Sequence, residues 1–309
     1  MKNYLLFLLN LLLSFSIYAQ NRAITVNYKR QSDNSVDFNY TKKAPGSYTV
    51  KLTFTNLKNA YANNYFGVVK YSSGILASLD PINKNRGITF GYKVSYIQGV
   101  LNPKKIDKNF VYLLPFKQNA ELKVQELTNL GQNYLGHKAP KNWKSYQFIT
   151  KSDTVYAIRK GLVIKVENRL DITTDNNIYS SDHNNILVEN LDGSFTNYSN
   201  FKKNGILVKP GQYIYPHSKI GILPTKKTNA SCYLYLSTYY LSDFKFDKKK
   251  TSFSNYESPL IYIVPIFATS TGNKTLQPNT TYVSVFNEDL FKKELTKREK
   301  RRLKKGSLL

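Results

Sequence analysis

Alternating apolar and polar residues dominate the first third of the chain. At residues 48–54 every second side chain is apolar and the others are polar, the pattern of a half-buried β-strand. The turn residues Ala44-Pro45-Gly46 precede this run. Similar short runs without helical periodicity recur at residues 36–40, 65–71, 88–97 and 110–115. Several short strands in about 95 residues predict a small antiparallel sandwich, which we assign as an accessory domain over residues 20–130.

The same strand pattern continues in the second part of the chain, interrupted by tight turns. Asp192-Gly193 separates two predicted strands, and this dipeptide is typical of a hairpin turn. The run at residues 232–236 is apolar and indicates a strand buried on both faces. Residues 120–130 fit either a short helix or a strand. Further strands are predicted at residues 155–157, 161–167, 186–189, 194–198, 259–267 and 280–286. The sequence therefore predicts an all-β protein with a second domain over residues 131–287.

The first twenty residues differ from the rest. Lys2 precedes an apolar stretch at residues 4–13, and the segment ends in Ile17-Tyr18-Ala19-Gln20. This is the pattern of a signal peptide over residues 1–19. Even counted over residues 4–19, about 16 residues, the apolar part is shorter than the ~20 that a membrane-spanning helix needs, and a retained anchor is the alternative. We expect an exported protein that is periplasmic, envelope-associated or secreted, with no transmembrane span after signal removal.

Basic residues are in large excess, with 45 Lys and Arg against 20 Asp and Glu and a net charge of +25. This excess indicates an anionic partner, or it follows from a biased nucleotide composition of the genome. Export disfavours nucleic acid as that partner. One strongly basic segment is the tail, residues 288–309, in which residues 291–309 hold nine Lys or Arg and only Glu294 and Glu299, a net of +7. We expect a solvated tail; attraction to an anionic envelope surface is the alternative.

The order of strands and turns over residues 142–236 resembles the lysostaphin/LytM-type zinc metalloendopeptidases. These are secreted enzymes that cut peptide cross-links in peptidoglycan. The resemblance is carried by Val155-Tyr156-Ala157, Leu191-Asp192-Gly193, Asn197-Tyr198-Ser199-Asn200, Lys209-Pro210-Gly211 and Ile220-Gly221. It implies a LytM-like antiparallel β domain behind the N-terminal sandwich.

Enzymes of that family hold zinc through a His-x-x-x-Asp motif and the second His of a His-x-His motif. The first His of His-x-His and the His of a Tyr-x-His turn assist the attacking water. The resemblance places these five positions on Asn142, Tyr146, Tyr235, Tyr233 and Asn200. A phenol costs about 4 kcal/mol to ionise at pH 7, and an amide oxygen is a poor ligand for zinc. We therefore expect a degenerate family member, a pseudo-enzyme with no catalytic residues, no metal and no cofactor.

The same positions suggest a binding role. The aromatic residues Trp143, Tyr146, Tyr198, Tyr233 and Tyr235 would line the former cleft with apolar faces and polar tips, which contact sugars and peptides well. The alternative is that the tyrosines pack as core. We expect binding or regulation at the cell wall, with peptidoglycan or a wall hydrolase as partner. The rival functions are an active zinc endopeptidase with unrecognised ligands and a structural component of an envelope complex.

The remaining candidate groups indicate no other chemistry. His137, His183 and His217 are far apart in sequence and lack a second His at helical spacing, so we expect surface or turn histidines. The single cysteine, Cys232, excludes an intramolecular disulfide. It lies in an apolar strand, where a buried structural role is expected.

Overall fold

In the computed structural model, which describes residues 22–128, 140–171, 183–226, 229–242 and 258–306, the chain is almost entirely β. Strands account for 48% and helix for 5%, so the prediction of an all-β protein is confirmed. The predicted signal peptide and His137 lie outside the described residues. Within these ranges no helix has the length and apolar character that crossing a bilayer requires.

Two three-stranded antiparallel sheets pack face to face in the N-terminal region. The strands are β1 (Ile24–Arg30), β2 (Val36–Lys42), β3 (Tyr48–Lys58), β4 (Tyr65–Val69), β5 (Ser73–Leu79) and β6 (Thr89–Gln98). The sheet orders are β1-β2-β5 and β4-β3-β6. Phe38, Val50 and Leu52 are fully buried, and the ring of Phe38 lies 5.0 Å from that of Phe54. The predicted sandwich is therefore present, and β1 and β5 are strands that the pattern did not predict.

A larger sheet organises the rest of the chain. Its region contains β7 (Val111–Leu113), β8 (Glu121–Glu126), β9 (Tyr146–Thr150), β10 (Thr154–Tyr156), β11 (Gly161–Glu167), β12 (Asn185–Asn190), β13 (Phe195–Ser199), β14 (Tyr213–Ile214), β15 (Lys219–Ile222), β16 (Cys232–Leu241), β17 (Leu260–Tyr262), β18 (Ile266–Thr269), β19 (Gly272–Thr275) and β20 (Thr281–Val283). Nine strands form one sheet in the order β14-β11-β12-β13-β16-β9-β8-β20, with β17 paired to β16. β18 pairs in parallel with β7 on one side and antiparallel with β19 on the other. β10 pairs antiparallel with β15.

One face of the nine-stranded sheet covers the second hydrophobic core. Val163, Ile186, Leu234 and Leu236 are essentially inaccessible to solvent in this core. Burying each such side chain contributes about 1.5–3 kcal/mol. Because side chains alternate along a strand, the residues between them point to the opposite side of the sheet. We call that side the outer face.

The change from the first core to the second falls earlier than the sequence predicted. The first core ends with partly buried Tyr96 on β6, and the second begins with Phe110. Strand β8, at the segment that fitted either helix or strand, pairs with β9 and β20. The predicted boundary near residue 130 is therefore too late. Local alternation identifies strands but does not reveal which sheet they join.

The two regions contact each other at one end of the outer face. Ile97 and Leu101 pack against Phe195 and Leu241 there. The Glu189 carboxylate on β12 accepts hydrogen bonds from the backbone N–H of Ser47, at 2.7 Å, and from its hydroxyl. Gly46 has φ +86°, and a Cβ at this position would lie 2.7 Å from a Glu189 carboxylate oxygen. This close approach requires glycine in the predicted Ala44-Pro45-Gly46 turn.

Two short helices follow the last strand, α1 (Glu288–Lys292) and α2 (Lys297–Lys304). Thr296 caps α2, since its hydroxyl accepts from the Glu299 N–H while the Glu299 carboxylate accepts from the Thr296 N–H. Phe291 and Leu295 are buried beside Tyr215 and Leu303. The basic residues of this segment are mostly exposed, as expected of a solvated tail, but residues 288–306 are not a free tail, because Phe291 and Leu295 pack on the second domain.

Buried charges attach this segment to the domain. The Arg159 side chain is 3% exposed. Its Nη1 lies 2.9 Å from Asp192 Oδ2. Its Nε and Nη2 donate to the two carboxylate oxygens of Glu294, at 3.0 and 2.7 Å. Lys160 Nζ lies 2.7 Å from Glu299 Oε2. We call Arg159, Lys160, Glu294 and Glu299 the clasp. Glu294 and Glu299, the two acidic residues of residues 291–309, thus point inward and bind basic residues next to β11.

Candidate functional site

Strand β16 lies in the middle of the nine-stranded sheet, between β13 and β9. Its register places Tyr235 opposite Ser199 on β13 and opposite Gln147 on β9. Tyr233 lies two residues earlier on the same strand, so both tyrosines point to the outer face while Leu234 points into the core. This end of β16 is distant from the Leu241 end, where the N-terminal region packs.

Amide and hydroxyl groups surround the two tyrosines. Asn185 on β12 lies directly opposite Ser199, and the Asn197 side-chain N–H donates to the Ser199 hydroxyl at 3.1 Å. The Asn185 amide donates to the His183 backbone carbonyl at 3.0 Å. The row formed by Gln147, Tyr235, Ser199 and Asn185 crosses four neighbouring strands. It presents neutral donors and acceptors at the spacing between strands, about 4.8 Å.

The tyrosine rings themselves are held by aromatic and cationic neighbours. The His183 ring lies 5.1 Å from the Tyr235 ring, and the Lys226 ammonium lies 4.7 Å from the centre of the Tyr233 ring. Burial, together with neighbouring Tyr233, raises the pKa of Tyr235. Its phenol therefore remains protonated at neutral pH and is able to donate a hydrogen bond.

Asn200 adjoins the pair but has a structural contact. It has φ +82° at the end of β13, and its side-chain amide donates to the Tyr233 carbonyl at 2.7 Å. This bond joins the end of β13 to β16 where the regular ladder stops. The structure therefore brings together three of the five positions implied by the resemblance: Tyr233, Tyr235 and Asn200.

Tyr146 and Tyr198 do not lie on the outer face, which corrects their assignment as cleft residues. Tyr146 is opposite Leu236 and points into the core with 0% exposure. Tyr198 is 1% exposed, and its hydroxyl accepts from the Ile158 N–H at 3.0 Å. Burial raises the pKa of both phenols. Both tyrosines pack as core, which was the alternative interpretation. On β9 it is Gln147, and not Tyr146, that lies beside Tyr235.

Trp143 and Asn142 precede β9 and occupy separate surroundings. The Trp143 indole N–H donates to the Leu127 carbonyl at 2.8 Å, and its ring lies 4.7 Å from that of Tyr262. Tyr262 contacts Tyr239, four residues beyond Tyr235 on β16. Asn142 is exposed in a turn with φ +55°. The structure therefore places Trp143 near the Tyr239 end of the outer face, and not beside Tyr233 and Tyr235.

The described histidines and the cysteine do not form a metal centre. In the described ranges, no three His, Cys, Asp or Glu side chains lie close enough together to hold a metal ion. His217 lies in a turn before β15, 5.0 Å from the Tyr156 ring, and burial lowers its pKa. Cys232 is buried, as predicted, and burial raises the pKa of its thiol. The thiol is therefore protonated at neutral pH and a poor nucleophile.

Sequence reasoning missed most of the polar residues beside Tyr235. Gln147, Asn185 and Asn197 are half-buried and alternate with the buried side chains of β9, β12 and β13, and Ser199, 8% exposed, ends β13 beside them. The period-two signal was present in each strand. That local signal does not give the order of the strands in the sheet, and it is this order that brings the four side chains together.

Comparison with known proteins gives a limited result. No family model matches the chain, and no curated protein matches it. One similar solved structure is a putative glycyl-glycine endopeptidase LytM from Ruminococcus gnavus ATCC 29149, with 13% identity over 50% of this chain and a TM-score of 0.27. The chain spans 56% of the length of that protein. Another is a zinc-containing peptidase from Vibrio cholerae, with 13% identity over 70% of this chain and 75% of that one and a TM-score of 0.24. At TM-scores below 0.5, neither likeness decides the family or the activity of this chain.

Proposed function

We propose that the second domain is a LytM-type peptidase scaffold that binds peptidoglycan without cleaving it. The ordered motifs from Val155 to Gly221 support the scaffold. The proposal depends on one observation: Tyr233 and Tyr235 stand side by side on the outer face, on the strand where the family carries its His-x-His motif. A neutral amide and hydroxyl row adjoins them.

The chemistry of these groups favours binding over hydrolysis. Tyr235 remains protonated at neutral pH because burial raises its pKa, and a protonated phenol is not a zinc ligand. Gln147, which faces Tyr235, carries a neutral amide, which is a poor ligand for zinc. The same phenols provide an apolar ring face with a hydrogen-bonding tip. Together with Asn185, Asn197 and Ser199 they match a ligand rich in amide and hydroxyl groups.

Peptidoglycan has that composition, since its glycan strands carry hydroxyl and acetamido groups and its stem peptides carry backbone amides. A small set of well-placed polar groups beside aromatic rings is sufficient to orient such a ligand. Export through the signal peptide at residues 1–19 is part of the proposal, because it brings the protein to the compartment where peptidoglycan lies. A wall hydrolase is the other partner to be tested.

The experiment is retention of purified chain on insoluble peptidoglycan. The variant Tyr233→Ala/Tyr235→Ala removes both rings from the outer face. A matched control, Tyr61→Ala/Tyr71→Ala, removes two tyrosines of the N-terminal region that are 87% and 81% exposed. We expect the outer-face variant to lose about 1–3 kcal/mol of binding, roughly a five- to hundredfold loss of affinity, while the control binds as the parent does.

Two results would contradict the proposal. Equal retention of the parent and Tyr233→Ala/Tyr235→Ala, with both shown to be folded by thermal melting, would remove the binding role of the outer face. Stoichiometric zinc in the purified protein, with cleavage of cross-linked muropeptides that a chelator abolishes, would establish the active endopeptidase instead.

A further inference from the structure

Helix α2 presents a dense array of cations to solvent. Its exposed basic side chains and those directly after it are Lys297, Arg298, Lys300, Arg301, Arg302, Lys304 and Lys305. At 100° per residue they cover an arc of about 200° around the helix. Glu299 and Leu303 occupy the remaining arc, which points to the domain.

The clasp determines which side of α2 faces outward. The Glu299 carboxylate is bound by Lys160 and by the Tyr215 hydroxyl at 2.8 Å. Although burial alone would raise it, the pKa of Glu299 is lowered to about 2, chiefly by the bond from Lys160. Glu294 is held by Arg159, which also lies 3.7 Å above the Phe110 ring. Both acidic residues of residues 291–306 are thus turned inward, so the outward arc is purely cationic.

The outward arc contains no large apolar side chain. Leu295 is buried, and half-buried Leu303 packs in the same cluster as Phe291 and Tyr215. A helix that inserts into a lipid interface needs an apolar face directed at the membrane, and the apolar face of α2 is already packed on the domain. The exposed groups are therefore suited to anionic groups approached from solvent. The Cβ atoms of residues at i, i+3 and i+4 on a helix are about 5–6 Å apart, so these basic residues are close neighbours.

We propose that the outward face of α2 is a docking surface for a linear polyanion that carries phosphate groups along its length, a phosphate-bearing polymer of the cell envelope. A flexible chain can curve around a 200° arc, whereas a flat membrane surface faces only part of it. Charge complementarity supplies the attraction, and the clasp holds the helix in place so that its backbone need not be ordered on binding. This proposal is independent of the outer face and of any ligand bound there; the envelope as source of the polymer rests on the export included in the proposed function.

The test compares two charge-matched variants in binding linear inorganic polyphosphate. Lys297→Gln/Arg301→Gln/Lys304→Gln removes three cations from the centre of the arc. Lys58→Gln/Lys84→Gln/Lys93→Gln removes three exposed cations from the N-terminal region. Binding is measured over a range of salt concentrations. We expect the α2 variant to lose on the order of tenfold or more in affinity, with a log–log salt slope shallower by about 2. The control variant should keep the parent slope.

A second arm uses vesicles of anionic lipid at the same phosphate concentration. Weaker binding to vesicles than to polyphosphate supports the polymer as ligand. Equal polyphosphate affinity of the two triple variants, with melting temperatures unchanged, would overturn the proposal. Tighter binding to vesicles than to polyphosphate would overturn it as well and would assign the surface to a membrane.

Discussion

The clasp and the outer face are two polar clusters of the same domain that are built in opposite ways. In the clasp, Arg159 and Lys160 are almost completely buried, and each binds a carboxylate of the C-terminal segment. On the outer face, Tyr235 and its amide neighbours are neutral and mostly half-buried. A buried charge tolerates only its own partner, because removing that partner leaves the charge uncompensated. Neutral amides and phenols exchange partners at a lower cost, so the first cluster fixes structure and the second is suited to a ligand.

The largest expected effect comes from breaking the clasp. We predict that Arg159→Met lowers the free energy of unfolding by about 3–5 kcal/mol, because Asp192 and Glu294 lose their shared cation. Urea unfolding measures this difference. The control is Arg298→Met on the exposed arc of α2, for which the change should be below about 0.5 kcal/mol. Similar losses for the two variants would mean that the clasp does not stabilise the domain.

A smaller effect is expected where the two regions meet. Glu189→Ala removes the acceptor for the N–H and hydroxyl of Ser47, and leaving these donors unsatisfied costs about 1–3 kcal/mol. Glu121→Ala, at an exposed position on β8, is the control. Limited proteolysis between the regions should accelerate for Glu189→Ala alone. Unchanged cleavage would show that the contact is not needed to hold them together.

Acid should weaken the clasp before it affects the outer face. The pKa of Glu299 is about 2 in the folded chain against 4.5 as an ordinary value. Its ionised form therefore adds stability that is fully present above about pH 4.5 and is lost as the pH falls towards 2, about 1–2 kcal/mol after solvent screening. Melting temperatures of the parent and Glu299→Gln should converge across this window. Parallel curves would contradict the assignment.

The smallest effect is expected on the outer face itself. Tyr235→Phe should change the free energy of unfolding by less than about 0.5 kcal/mol, whereas Tyr198→Phe leaves the Ile158 N–H without its acceptor and should cost about 1–3 kcal/mol. Thermal or urea unfolding of the two variants makes the comparison. Equal costs would show that Tyr235 is a core residue and would weaken its proposed role in binding.

Local sequence patterns predicted much of the fold but less of the site. Alternation at residues 48–54 identified β3, and Asp192-Gly193 identified the β12–β13 hairpin, in which Gly193 has φ +88°. Both are short-range signals. Tyr146 and Gln147 are neighbours in sequence, and only their pairing with β16 determines which of them faces Tyr235. A displacement of one residue moves a side chain to the other face of a sheet.

The sequence did not reveal the long-range charge pairs either, because local patterns do not show which distant residues meet. Glu294 binds Arg159 across 135 positions, and no local pattern connects them. The nine basic residues of residues 291–309 suggested a solvated tail because net charge describes composition and not contacts. The two glutamates among them determine where the segment lies.

Because the paired residues of the clasp lie 135 and 139 positions apart in the sequence, the clasp forms only late in synthesis. Arg159 and Lys160 leave the ribosome before Glu294 and Glu299 do, so in a nascent or truncated chain Lys160 lacks its carboxylate and Arg159 is paired with Asp192 alone. Such a chain lacks both ion pairs that attach the C-terminal segment to the domain. Only the chain translated through α2 closes completely.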